Sequence, residues 1–136
     1  MHTIDKGEVA RYMAVAHLIK KGMKVSVPLT ENSSYDLIVD DGTKLYRTQI
    51  KKGTYRNGAL QIQLHSTSYK KDNELTIKKY SSHDIDWLIA VDVEHNKFYL
   101  LDYSTGKLDG RNAIWLRIEE PKKATNNIVY AKDFEI

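Results

Sequence analysis

A short polar turn early in the chain constrains the fold more than any other feature. The tetrapeptide Asp40-Asp41-Gly42-Thr43 separates two strand-like runs, residues 35–39 and residues 44–51. An Asp-Gly pair between two such runs is a strong β-hairpin signal, because glycine accepts the positive φ that tight turns require. The sequence therefore predicts two adjacent antiparallel strands around which the rest of the chain must pack.

A helix is predicted before this hairpin, over residues 6–21. Apolar side chains recur there at the three- and four-residue spacing of one helical face, at Val9, Tyr12, Met13, Ala16 and Ile19. Lys20 and Lys21 suit the negative end of the helix dipole, and Gly22 is a typical residue just beyond a helix end. We expect this helix to cover one face of a sheet.

Further strand signals follow on both sides of the hairpin. Residues 23–29 predict a short strand near a sheet edge, because Pro28 lacks a backbone donor. The other predicted strands are residues 60–64, 87–93, 97–101 and 113–118. Residues 81–86 predict a helical turn capped by a serine, and the remainder to Ile136 is expected to be irregular and partly exposed. The predicted class is α/β or α+β, with a mixed central sheet and flanking helices.

Length and composition favour one intracellular domain. The chain has 136 residues, of which 41% are hydrophobic, so we expect a single domain over residues 1–136. No run approaches the roughly 20 apolar residues of a membrane helix, and the polar N-terminus does not resemble a secretory signal. We expect a cytoplasmic, nucleoid-associated protein. It contains no cysteine, which excludes disulfides and thiolate zinc sites.

The basic residues are concentrated in the first part of the chain. Residues 1–83 contain 14 Lys and Arg against 8 Asp and Glu, whereas residues 84–120 contain 4 against 8. Such an excess favours a polyanionic partner, because lysine and arginine release counterions when they neutralise phosphates. The alternative is a basic surface that binds nothing.

Three polar residues of the hairpin form the candidate site. Asp36 places a carboxylate in an apolar run, while Gln49 and Lys51 share one face of the partner strand because their spacing is two. We expect Asp36 to lie near the level of Gln49, within a residue or two. The alternative is a solvated hairpin face, on which alternating polar residues are ordinary.

This combination of groups suits phosphodiester hydrolysis. Asp36 and the amide oxygen of Gln49 can hold Mg²⁺, which prefers oxygen ligands and keeps several waters. Lys51 could orient the attacking water or stabilise the developing negative charge. Glu8, in the predicted helix, could complete the metal site by holding a water, although an acidic residue in a first helical turn also simply suits the helix dipole.

Candidate DNA contacts lie close to these residues in the sequence. Residues 44–56 contain five basic residues and no acidic one. A phosphate- or base-contacting role is predicted for Lys52, Tyr55 and Arg56, and a less continuous track follows at Lys70 and Lys71. The alternative is a basic strand edge that prevents pairing between sheets.

At these residues the chain resembles the PD-(D/E)XK nuclease superfamily, whose pattern is an acidic residue in a first helix, Asp on one strand and Glu/Asp-x-Lys on the next. The matching residues are Glu8, Asp36, Gln49 and Lys51. The runs that are similar to small group I intron homing endonucleases are Gly7-Glu8, Asn32-Ser33-Ser34-Tyr35-Asp36-Leu37 and Gln49-Ile50-Lys51. Archaeal Holliday junction resolvases look like the next relatives. The resemblance covers about residues 6–103 and leaves residues 104–136 as a C-terminal extension.

The resemblance implies an endonuclease that uses Mg²⁺, with Mn²⁺ as an alternative, on double-stranded or branched DNA. Gln49 departs from the pattern, because an amide replaces the usual second acidic ligand. Weaker metal binding and one principal Mg²⁺ are therefore expected. The main alternative is an inactive DNA-binding module with the nuclease fold, and a second is a small basic interaction protein. Since one chain offers one site and cutting both strands needs two, a homodimer or higher symmetric homo-oligomer is predicted.

Overall fold

The structure is a computed structural model that describes residues 3–123 and 127–136. Within these residues one α-helix, α1 (Thr3–Lys20), precedes ten strands, and a short 3-10 helix, η1 (Ala131–Asp133), follows them. The strands are β1 (Lys24–Ser26), β2 (Leu37–Asp40), β3 (Leu45–Lys52), β4 (Thr54–Arg56), β5 (Ala59–Gln63), β6 (His65–Tyr69), β7 (Leu75–Lys79), β8 (Trp87–Asp92), β9 (Lys97–Asp102) and β10 (Ala113–Arg117). No helix in these two ranges is long and apolar enough to cross a membrane.

A five-stranded mixed sheet forms the centre of the fold, in the order β1-β2-β3-β8-β9. β3 and β8 are parallel, and the other neighbours are antiparallel. β2 and β3 form the predicted hairpin, in which the Asp41 carboxylate accepts the backbone N–H groups of Thr43 and Lys44, both at 2.8 Å. Gly42 supplies the positive φ of +95° that the turn requires. The predicted mixed sheet and its central hairpin are confirmed.

Helix α1 covers one face of this sheet. The helix residues that are completely buried are spaced by four: Ala10, Ala14 and Leu18. They pack against buried residues of β2, β3 and β8. The predicted apolar face is wrong in part, because Met13 packs against this core but Tyr12 and Ile19 are 65% and 57% exposed. The small side chains of Ala10 and Ala14 let the helix pack against the sheet, so the buried stripe runs through these residues rather than through the bulkier ones. Gly22, at φ +88°, follows the helix end as predicted.

A second, three-stranded sheet in the order β10-β5-β4 covers the opposite face. Leu60 and Ile62 of β5 and Leu116 of β10 belong to one buried cluster with Leu88 and Leu101 of the central sheet. The residues next to Leu88 along β8 belong to the cluster on the helix side, as the two-residue period of a strand requires. The central sheet is therefore buried on both faces.

The C-terminal segment lies along β9. Leu100 donates its N–H to the Phe134 carbonyl at 2.9 Å, and Ile136 donates to the Phe98 carbonyl at 3.0 Å. Ala131 is 2% exposed and belongs to the same buried cluster as β5 and β10. Apart from η1, the described part of this segment after β10 is irregular, as expected, but it contributes to the core.

Three strands were not predicted: β4, β6 and β7. β4 is only three residues long, and β6 has the sequence His-Ser-Thr-Ser-Tyr, which lacks apolar alternation. Within residues 3–123 and 127–136, β6 and β7 pair only with each other and form a separate two-stranded sheet. Residues 81–86 form a hydrogen-bonded turn rather than a helix, in which Asp84 donates its N–H to the Ser81 carbonyl at 3.0 Å.

Candidate active site

Asp36 lies immediately before β2 and is tied to β3 by two hydrogen bonds. Its N–H donates to the Thr48 carbonyl at 3.0 Å, and its Oδ2 accepts the N–H of Ile50 at 3.1 Å. Because Leu37 pairs with Thr48 in the hairpin register, Asp36 stands at the level of Gln49. The structure thus places the carboxylate at the level of Gln49, as the hairpin predicts.

The pKa of Asp36 depends on burial, on one backbone hydrogen bond and on three charged neighbours. Burial is the largest influence and raises the pKa of the carboxyl group above its usual range. The hydrogen bond from Ile50 and the positive charges of Arg11 and Lys51 oppose this rise, while the negative charge of Glu8 adds to it. These influences show that Glu8, Arg11 and Lys51 all lie within electrostatic reach of Asp36.

Lys51 is half-buried and held in place at its ammonium group. Nζ donates to the His65 carbonyl at 2.9 Å and lies 5.4 Å from the centre of the Tyr80 ring. Burial lowers the pKa of Lys51, and the charge of Asp36 opposes that shift. The side chain is therefore a positioned, partly desolvated cation beside a partly desolvated carboxylate.

Gln49 completes the trio on β3. It pairs with Leu88 of β8, and Lys51 pairs with Ala90, so both lie on the sheet face that the β5–β10 layer covers. Its Nε2 donates to the Ile50 carbonyl at 3.3 Å. That bond uses the amide nitrogen and leaves Oε1 to act as an acceptor or as a metal ligand.

Glu8 lies at the edge of the site rather than in it. Its carboxylate pairs with the Arg11 guanidinium at 2.8 Å, and its side chain is 48% exposed. Arg11, one turn further along α1, was not among the candidates, although its spacing of three from Glu8 predicts an ion pair. The structure brings both residues towards Asp36 from the helix side.

Tyr80 is the second neighbour that the sequence reasoning missed. It is 3% exposed and lies over Lys51. Burial and the nearby charge of Asp36 raise the pKa of its hydroxyl. No local signal marks Tyr80, because its position depends on where the β6–β7 hairpin rejoins the core.

The predicted DNA-contacting residues are spread over two regions. Lys52 ends β3, while the Tyr55 hydroxyl donates to the Glu119 carboxylate at 2.5 Å, beyond the end of β10. Arg56 is exposed at the end of β4. Lys70 and Lys71 lie in the turn between β6 and β7, where Lys70 approaches Glu74 at 4.0 Å.

The oxygen ligands at Asp36 fit Mg²⁺ better than a metal that needs several imidazole or carboxylate ligands. Within residues 3–123 and 127–136, no group of three or more His, Cys, Asp or Glu side chains is placed to hold a metal. Among the same residues, Oδ1 of Asp36 makes no hydrogen bond, whereas Oδ2 is used by Ile50. A carboxylate oxygen and an amide oxygen are ligand types that Mg²⁺ accepts together with solvent water, and Asp36 and Gln49 carry one of each.

Comparison with known families decides the assignment of this fold. The model of the PD-(D/E)XK endonuclease family matches residues 1–136. The chain belongs to the PD-(D/E)XK endonuclease family. The match includes residues 104–136, where the sequence alone showed no resemblance. Asp36 and Gln49-Ile50-Lys51 resemble the family pattern of an Asp followed by a (D/E)-x-Lys tripeptide, except that Gln49 stands at the acidic position. The Asp36 carboxylate accepts the N–H of Ile50, the middle residue of this tripeptide.

A solved structure confirms the fold of this family member. The chain is similar to the bacterial homing endonuclease I-Ssp6803I, with a TM-score of 0.77 and 23% identity, over 99% of this chain and 89% of that one. A comparison with curated proteins finds no matching sequence.

Proposed function

We propose that the protein is a Mg²⁺-dependent endonuclease that hydrolyses phosphodiester bonds in double-stranded or branched DNA inside the cell. The observation that carries the proposal is the meeting of Asp36, Gln49 and Lys51 on one hairpin, with carboxylate and ammonium groups both partly desolvated. Charged groups that are partly removed from water and shifted in pKa by a specific partner are typical of functional sites. Family membership supports the same reaction class.

Each residue of the site has a proposed role that follows from its chemistry. When bound, Mg²⁺ supplies a Lewis acid for the scissile phosphate and lowers the pKa of the attacking water. Asp36 and the Oε1 atom of Gln49 would hold the ion, and Glu8, at the edge of the site, would accept a hydrogen bond from a water. Lys51 stabilises the negative charge that develops on the phosphate, because its ammonium group is already oriented by the His65 carbonyl.

DNA binding is proposed to use the basic residues on both sides of this centre. Lys52 and Arg56 would contact phosphates next to the scissile bond, with Tyr55 beside them, and Lys70 and Lys71 would contact phosphates further away. A symmetric homo-oligomer would bring a second copy of the site to the other strand.

The proposal is tested by cleavage of supercoiled plasmid and of a synthetic four-way junction, each with Mg²⁺, Mn²⁺ or EDTA. We expect strand breaks with either metal, none with EDTA, and none with Asp36→Ala or Lys51→Ala. Lys97→Ala is the control, because Lys97 pairs with Glu135 at 3.3 Å at the far edge of the sheet. Cleavage that persists in both site variants would refute the assignment.

Gln49 supports a second candidate function, a DNA-binding module without activity. The amide brings no charge to the metal site, so the ion would be held by fewer charges than the family pattern provides. Calorimetry and nicking assays on the same sample separate the two functions. Salt-sensitive DNA binding without strand breaks at any Mg²⁺ or Mn²⁺ concentration would favour the binding module.

A further inference from the structure

The hairpin of β6 and β7, residues 65–79, projects from the fold as a two-stranded ribbon. In the described part of the chain it pairs with no other sheet. Three of its large apolar residues are strongly exposed: Tyr69 at 73%, Leu75 at 50% and Ile77 at 53%. Isolated two-stranded hairpins are marginally stable in water, so a ribbon of this kind needs either internal stabilisation or a partner.

The strand register divides the ribbon into two chemically different faces. Thr67 lies opposite Ile77 and Tyr69 opposite Leu75, so these pairs share one face. Cross-strand contacts between such residues hold the register of a ribbon that lacks a third strand. The apolar face therefore has a role within the ribbon itself.

The other face is polar. Ser68 lies opposite Thr76, and Ser66 lies opposite Lys78. Lys78 is engaged by Asp84 at 3.3 Å at the base of the ribbon. Ser68 and Thr76, further out, present hydroxyl groups that can donate and accept hydrogen bonds.

Both ends of the ribbon are joined to the candidate active site. Its first residue, His65, accepts the Lys51 ammonium at 2.9 Å through its carbonyl. The residue after its last strand is Tyr80, whose ring lies 5.4 Å from the same Nζ atom. DNA held with a phosphate at Lys51 must therefore pass close to the base of the ribbon.

The charge and the two-stranded architecture of the ribbon suit a DNA duplex. Residues 65–79 contain four lysines against Asp72 and Glu74, a net charge of +2. The turn at its tip carries Lys70 and Lys71. The major groove of B-DNA admits a two-stranded β-ribbon, and serine and threonine hydroxyls can bond to base edges there.

We infer that the ribbon enters the major groove beside the cleavage site and that Ser68 and Thr76 read base edges, while Lys70 and Lys71 contact the flanking phosphates. This inference rests on the proposed function and adds the element that selects the target sequence. The nuclease centre supplies the reaction, and the ribbon supplies base preference.

The test measures base preference by binding, so that it does not depend on cleavage. Wild-type protein, the double variant Ser68→Ala/Thr76→Ala and the control Thr67→Ala are each incubated with randomised DNA duplexes in Ca²⁺, and the retained sequences are read. Thr67 is the matched control because it lies on the apolar face of the same ribbon. We expect the double variant to lose about tenfold preference at one to three base pairs, and Thr67→Ala to keep the wild-type preference.

A second variant guards against a local folding defect. Replacing residues 67–77 with Asn-Gly joins Ser66 to Lys78 through a tight turn. The change keeps His65 and Tyr80, the two residues that contact the Lys51 ammonium group. This shortened protein also lacks Lys70 and Lys71, so its DNA affinity should fall and its salt dependence should weaken. At saturating protein it should still nick plasmid with Mg²⁺, but without base preference. Its oligomeric state, measured by light scattering, should equal that of the wild type.

The outcomes separate the two proposals. If the wild type neither binds nor cuts DNA, the proposed function fails and the inference fails with it. If the wild type binds and cuts, but has no base preference or shares its preference with both ribbon variants, only the inference is overturned. A shortened ribbon that changes the oligomeric state while base preference persists would instead identify the ribbon as a contact between copies of the chain.

Discussion

Replacing Lys51 with methionine tests whether its ammonium group is catalytic rather than structural. In the folded protein Nζ donates to the His65 carbonyl at 2.9 Å and lies 5.4 Å from the Tyr80 ring centre. Methionine keeps a similar length and can contact the aromatic ring through its sulfur, but it carries no charge. The change therefore removes the cation and retains most of the packing.

The effects on stability should nearly cancel. A hydrogen bond from a charged donor stabilises by about 1.5–3 kcal/mol and a cation–π contact by about 0.5–2 kcal/mol. Burial of the ammonium group opposes these gains, as the lowered pKa of Lys51 shows. We expect a change in the free energy of unfolding of less than about 1 kcal/mol, which corresponds to a Tm shift of about 3–5 °C or less for a chain of this size.

The effect on cleavage should be far larger. Loss of one oriented group that stabilises transition-state charge typically lowers the rate by about 10²–10³-fold, or about 2.7–4 kcal/mol. The assay is single-turnover nicking of supercoiled plasmid at saturating Mg²⁺, with thermal unfolding measured on the same preparations. Lys97→Met is the control for loss of one positive charge. A Lys51→Met rate within tenfold of the wild type, or an equal loss in Lys97→Met, would refute the catalytic role.

Three further predictions follow from the same geometry. Because burial raises the pKa of Asp36, the ionised carboxylate opposes folding at neutral pH. The protonated carboxyl group contributes its full stabilisation below the ordinary aspartate pKa, and this contribution is lost as pH rises through the raised value. Asp36→Asn should therefore abolish nicking yet raise the free energy of unfolding at pH 7, measured by urea titration; a lower value would contradict the pKa direction. Gln49→Glu should tighten Mg²⁺ binding in calorimetry by on the order of tenfold, because it adds a second carboxylate, and unchanged affinity would remove Gln49 from the metal site. In Gly53→Ala the new Cβ would lie 2.5 Å from Cγ of the buried Leu60, which should destabilise the fold by about 1–3 kcal/mol in denaturant titration, whereas a neutral result would mean that the core gives way locally.

The parts of the fold that were predictable are those governed by local chemistry. The β2–β3 hairpin follows from Asp41 and Gly42, whose turn conformation is nearly independent of the rest of the chain. Gln49 and Lys51 share a face because the strand period is two, and Asp36 meets them because the turn sets the register. For the same reason, the trio could be proposed from the sequence alone.

The errors occurred where tertiary contacts outweigh local pattern. The buried stripe of α1 passes through Ala10 and Ala14 rather than Tyr12, because close approach to the sheet favours small residues over larger ones. β6 lacks apolar alternation and β7 has only Leu75 and Ile77 alternating with polar residues, because within the described residues their ribbon hydrogen-bonds to no other sheet. Their polar composition therefore concealed a strand pair.

By itself, the sequence determined the hairpin, the helix before it and the carboxylate, amide and lysine that the hairpin brings together. Only the tertiary structure decided that Tyr80 lies over Lys51, that Arg11 reaches the field of Asp36 and that the ribbon leaves the fold at the Lys51 ammonium. These contacts join residues that are far apart in the chain, so they depend on the parallel pairing of β3 with β8 and on the packing of α1 against both. A turn or a strand period acts over a few residues, whereas the surroundings of a site depend on the register between distant segments, which local propensity does not specify.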